Sequence, residues 1–222
     1  MTMPTKPSRP APRRHAVLRM RIAAGALLRA ESGIAAVEFS LILPILVVLW
    51  IGGVEVTGAL SVDRRLNNLT SAIGDLVARD KRLTFAEVEQ IFDVAPAAMF
   101  PYAATGVSMR VSAVKVDKDK NAKVAWSRAC LMQVTGGDPV CGTPAGSHAA
   151  YAADFSVNSL IAENLRVPDS QIIMSEVYHT YRPAVDYVIT GDLELDDRML
   201  FVPRLTAEVQ LCDNDGKNCK PS

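Results

Sequence analysis

Histidine occurs at only three positions, His15, His148 and His179, far apart in the chain. That scarcity excludes the His-Glu-x-x-His helix of a metalloprotease, and no Gly-x-Ser-x-Gly elbow is present to replace it. Aromatic residues make up 6% of the chain, and none lies among the basic residues near the N-terminus, so the interleaved pattern of a nucleic-acid-binding surface is missing. Cysteine is absent before residue 130, and the four that follow, Cys130, Cys141, Cys212 and Cys219, are not spaced as paired Cys-x-x-Cys zinc ligands. There is no internal repeat. These absences predict a protein that is not an enzyme and that needs no cofactor and binds no nucleic acid.

Charge is nearly absent from one stretch. Between Ile34 and Val54 the only ionisable side chain is Glu38, and as a helix this run extends roughly 30 Å, enough to cross a bilayer core. It is longer than the apolar region of a cleavable secretory signal, typically about 7 to 15 residues. The net charge of zero conceals an asymmetry. Residues 1–33 carry Lys6, Arg9, Arg13, Arg14, Arg19, Arg21 and Arg29 against Glu31, a balance of +6, so residues 34–222 carry −6. By the positive-inside bias the N-terminus is expected in the cytoplasm and the C-terminal portion beyond the membrane, in the periplasm or outside the cell. The first 15 residues, basic and rich in proline, should form a leader rather than part of a fold.

Within the apolar run, Gly33-Ile34-Ala35-Ala36-Val37-Glu38-Phe39 places a small residue at the membrane boundary and a carboxylate five residues later. A charge inside a membrane helix is costly and needs a partner, which an ordinary anchor does not explain. The pattern resembles the processing site of the type IV pilin superfamily. With Leu41-Ile42-Leu43-Pro44 it is similar to the TadE-like pseudopilins of tight-adherence (Tad or Flp) pilus systems. Asp75-Leu76-Val77 and Ala125-Trp126-Ser127-Arg128-Ala129 resemble extracytoplasmic parts of TadE-like and TadG-like proteins. The resemblance implies cleavage by a prepilin peptidase between Gly33 and Ile34, with Glu38 and Phe39 as further recognition elements. It also implies partners: that peptidase, other pilin and pseudopilin subunits, the inner-membrane assembly platform and the lipid bilayer. The alternative is an uncut single-pass envelope protein whose exported domain binds a partner or ligand.

The expected organisation is a basic leader over 1–33, a transmembrane helix over 34–60 and an extracytoplasmic domain over 61–222. Val62, Leu66, Leu69, Ile73, Leu76 and Val77 fall at helical spacing, which predicts that the membrane helix continues into an amphipathic one. Thr84-Phe85-Ala86-Glu87 is a capping box for a second helix that ends near Pro96. Val107 to Ala113 alternates as a half-buried strand and turns at Asp117-Lys118-Asp119-Lys120-Asn121 into a partner strand over 122–128. The segment around Gly136-Gly137-Asp138-Pro139 is expected to be an irregular loop, and 149–164 to hold one or two short helices. Residues 171–181 and 205–211 read as strands, the latter closed into a hairpin by Asp213-Asn214-Asp215-Gly216. Helices first and strands afterwards predict an α+β fold with an antiparallel sheet.

The cysteines all lie on the exported side, where disulfides form. Three connectivities are open, and short loops favour Cys130 with Cys141 and Cys212 with Cys219. Asp213 and Asp215 are weak calcium candidates, because their spacing departs from the EF-hand loop; no metal is expected. Asp192, Glu194, Asp196 and Asp197 read as a solvated acidic face.

Overall fold

The computed structural model describes residues 32–183 and 190–220, so nearly all of the expected leader lies outside the described residues. The chain divides into two units, one ending at Ile51 and one beginning at Gly52. Helix α1, Ser32–Ala78, is continuous. Its apolar portion has a mean hydropathy of 2.5 and is long and apolar enough to cross a membrane. From Ile34 to Trp50 its side chains are exposed, including Pro44, through which the helix runs unbroken.

In the second unit α1 becomes one-sided. Val62, Leu66, Leu69, Ile73 and Val77 are buried, each stabilising by about 1.5–3 kcal/mol, whereas Leu76 is exposed because the stripe passes beside it. After α1 come β1 (Arg82–Thr84), helix α2 (Phe85–Phe92) and the short helix α3 (Ala95–Met99), with Pro96 in the first turn of α3. The capping box forms. Thr84 Oγ1 accepts from the Glu87 amide at 3.3 Å, and Glu87 Oε2 accepts from the Thr84 amide at 2.7 Å.

Then follow β2 (Ser108–Val116), β3 (Ala122–Thr135), β4 (Asp138–Gly142), β5 (Ser170–Tyr181), β6 (Leu193–Phe201), β7 (Gln210–Cys212) and β8 (Cys219–Lys220). The main sheet is antiparallel, in the order β4-β3-β2-β5-β6. A small second sheet has the order β1-β7-β8, with β1 and β7 parallel. The α+β expectation therefore holds: a long apolar N-terminal helix precedes a domain built on an antiparallel sheet.

Three local expectations are corrected. Gly136 and Gly137 form a turn with positive φ at both residues, which lets β4 pair with β3 where a loop was expected; Pro139 is accommodated because β4 is an edge strand. Residues 149–164 contain no α-helix; the regular turns nearby are 3₁₀, at Gly146–His148 and Glu163–Leu165. The acidic run at 192–197 does present a solvated face, with Asp192, Glu194 and Asp196 exposed, and it lies largely in strand β6, with Leu193 and Leu195 on the alternate side. Most of 205–211 is not strand, because side chains replace the ladder: Val209 N donates to Gln171 Oε1 at 2.6 Å and Trp126 Nε1 donates to Val209 O at 2.8 Å.

The sheet is covered on both faces. One carries Val107, Met109, Val111, Ala113, Trp126, Ile173 and Val177 against α1 and α2. The other packs Val114, Val116, Val124, Ile172 and Met174 against Val157 and Ile161 of the β4–β5 connection. That second cover is why β2 is buried on both sides rather than half-buried.

Candidate functional site

The segment expected at the membrane boundary forms the start of α1. Gly33 and Ile34 lie in its first turn, and Glu38, four residues after Ile34, is one turn further along on nearly the same face. Ile34, Val37 and Phe39 are exposed, as is Glu38. A Cβ built at Gly33 would meet no described atom within 4 Å, and the same is true at Gly53. Nothing in the described chain requires Gly33 to lack a side chain.

Cys130 is joined to Cys141, fastening β3 to β4, and Cys212 to Cys219, closing the β7–β8 hairpin. Asp213 is committed to that hairpin. Its carboxylate accepts from Asn218 Nδ2 at 2.7 Å and from the amides of Lys217 and Asn218, which together hold its pKa below the usual range. Among the described residues no three His, Cys, Asp or Glu side chains are grouped to hold a metal ion.

A buried polar assembly in the second unit escaped the sequence reading. Arg110 on β2 and Glu176 on β5 pair at 2.7 Å with side-chain exposures of 2% and 0%. Arg110 Nη1 donates to the carbonyls of Ser147 and Ala149, at 2.8 and 2.9 Å, and Nη2 donates to the hydroxyls of Tyr151 and Tyr178. All five guanidinium protons are thus used. Glu176 Oε1 also accepts from Arg198 Nε at 2.8 Å and Tyr178 at 3.0 Å. Burial alone would raise the Glu176 pKa, but the hydrogen bonds and charges of Arg110 and Arg198 outweigh it and the net shift is downward. The Tyr178 hydroxyl is pushed up to about 12, by burial and then by Glu176. With all of its donors so committed, Arg110 clamps the 147–151 segment onto the sheet. The sequence signal was an arginine and a glutamate each inside an expected strand, with Arg110 on what read as the polar face of a half-buried one.

The decisive comparison concerns the first segment. Residues 33–74 match the family of TadE-like proteins. No curated protein and no solved structure matches the chain. The TadE-like match begins at Gly33, runs through Glu38 and the apolar portion of α1, and ends at Gly74 within the buried stripe. It associates the chain with Tad pili, through a family of pilus structural and assembly proteins. Together with the long apolar helix it supports single-pass membrane anchoring.

Proposed function

We propose that this chain is a minor pseudopilin, a structural and assembly component of a Tad pilus machine. A prepilin peptidase cuts it between Gly33 and Ile34, with the N-terminal side in the cytoplasm and the sheet domain beyond the inner membrane. The observation that carries this reading is Glu38, the only charge in an exposed apolar run, one helical turn from the residue that would become the new N-terminus. The cut would create an ammonium on Ile34 in or near the membrane boundary. In a low-dielectric setting an unpaired carboxylate is costly, so Glu38 pairs with that amine or with the amine of a neighbouring subunit. Ala35, Ala36, Gly52 and Gly53 permit close approach of another helix.

The test is the N-terminus of the membrane-extracted protein from cells that possess an active prepilin peptidase. Ile34 is expected. Retention of Met1 would reject processing and leave the uncut envelope protein as the reading. Replacing Gly33 with a bulky residue should trap the longer precursor, because the scissile bond must approach the peptidase closely.

A further inference from the structure

The main sheet ends on two edge strands, and the two are unlike. β4 has five residues and carries Pro139, which has no amide to donate. β6 has nine, with neither proline nor glycine, and pairs with β5 in an unbroken register from Leu193 to Phe201. Among the described residues, no backbone group of β6 bonds to anything but β5. A long, regular edge of this kind presents a row of unpaired amides and carbonyls that another strand can complete.

The two faces of β6 state what that strand should carry. Glu194 and Asp196 point to one face, across from Thr180 and Tyr178, and both are exposed. The ion pairs of this strand and its lead-in join Arg198 to Glu176 and Asp192 to Arg182, which leaves Glu194 and Asp196 without a partner among the described residues. Beside them opens a cleft of about 230 Å³, walled by His148 and Tyr178, whose rings stack at 4.4 Å. On the other face Leu193 and Leu195 are only half-buried. Cross-strand neighbours are matched by opposite charge on one face and by apolar contact on the other. We propose that β6 receives, by strand addition, an extended segment of a partner protein in which Lys or Arg alternates with apolar residues. The basic heads meet Glu194 and Asp196 while their stems lie along the His148 and Tyr178 rings, and the apolar side chains complete the cover of Leu193 and Leu195. A second copy of β6 is the poorer occupant, because it brings its own carboxylates to an edge whose one cation, Arg198, is already committed to Glu176.

The test uses the purified full-length protein in a non-ionic detergent and two capped hexapeptides, one alternating lysine with valine and one alternating glutamate with valine. Saturable binding of the lysine peptide is expected, about tenfold tighter than that of the glutamate peptide. Hydrogen exchange should slow at those β6 amides that exchange freely in the unbound protein. Methylating every amide nitrogen of the lysine peptide keeps its charges and removes its donors, so binding should be lost. Glu194→Lys/Asp196→Lys should reverse the preference between the two peptides, an outcome that an unfolded variant cannot give. Absence of saturable binding at millimolar lysine peptide, equal binding of its methylated form, or unaltered exchange in β6 would each overturn the proposal. So would an unchanged preference in the charge-reversed variant when its near-UV circular dichroism matches that of the unaltered protein.

Discussion

The ring of Phe201, at the end of β6, fills the space that any side chain at position 74 of α1 would occupy. A second contact of the same kind lies along the same helix, where the Tyr181 hydroxyl comes within 2.6 Å of a Cβ built at Gly58. Sixteen helical residues separate the two glycines, roughly 24 Å, and the β6 residues paired with or forming these contacts, Leu193 and Phe201, are roughly 27 Å apart along the strand. Helix and hairpin are therefore matched in length, with an aromatic seated at each end.

Gly74→Leu should destabilise the sheet domain by about 1–3 kcal/mol through overpacking. Adding Phe201→Ala should restore part of that loss. Denaturant unfolding of the two variants followed by near-UV circular dichroism decides it, and an additive double variant would show that the two residues do not compete for one space.

Arg110→Met leaves Glu176 buried without its closest partner and should cost about 3–5 kcal/mol. The pH dependence has a definite sign. Because the folded Glu176 pKa is depressed, its contribution is present above the ordinary glutamate value, about 4.3, and is lost as pH falls through the lower folded value. Glu176→Gln should be less stable than the unaltered protein at neutral pH, and the gap should narrow as unfolding is measured at successively lower pH. A constant gap would place the stabilisation elsewhere.

Gln171 holds the Val209 amide where a strand partner is missing. Gln171→Leu leaves that buried donor unpaired, at about 1–3 kcal/mol. Faster amide exchange at Val209 than at Leu211, whose amide lies in β7, is the accompanying signature; unchanged exchange would mean that another acceptor takes over.

Glu38→Val should still insert, since removing a charge favours the bilayer. It should lose incorporation into the pilus assembly, read as a drop in crosslinking to other pilin subunits. Unchanged assembly by a correctly processed Glu38→Val protein would reject the pairing role.

Thiol labelling should find no reactive cysteine before reduction, because both pairs are bonded. The loops they close are short, with sequence separations of 11 and 7, so each contributes about 2–3 kcal/mol in the chain-entropy description. Labelling of all four in the exported protein would contradict both the bonds and the compartment.

Signals local to a few residues were legible in the sequence. The uncharged run, the capping box of Thr84 and Glu87, the stripe from Val62 to Val77 and the β2–β3 hairpin each depend on neighbours within a turn or a strand. What could not be read depends on distant cover. Arg110 alternates with apolar neighbours as a solvent-facing residue would, and only the return of the 147–151 segment buries it. The alternation of Leu205, Ala207 and Val209 suggested a strand, yet Trp126 and Gln171 claim the Val209 backbone and leave Leu205 exposed. β6 was hidden by its own acidity, since the carboxylates on its exposed side outweighed the leucines on the other. At the start of α1 the difficulty is reversed: Gly33 and Glu38 stand out in the sequence as residue types, while both are exposed and no described atom lies within 4 Å of a Cβ at Gly33.

The parallel pairing of β1 with β7 joins Arg82–Thr84, the first strand of the domain, to Gln210–Cys212, near its last. Arg204 donates its amide to the Ala78 carbonyl and pairs with Asp75, adding a second clasp between the same two ends. A chain emerging N-terminus first can hold α1 and the β2–β3 hairpin well before it can make either clasp. Loop-closure entropy across more than half the polypeptide must be met before those contacts return anything. Leu83, which pairs with Leu211, and Trp126, whose indole N–H is taken by the Val209 carbonyl, therefore gain these partners only when the segment 204–212 arrives.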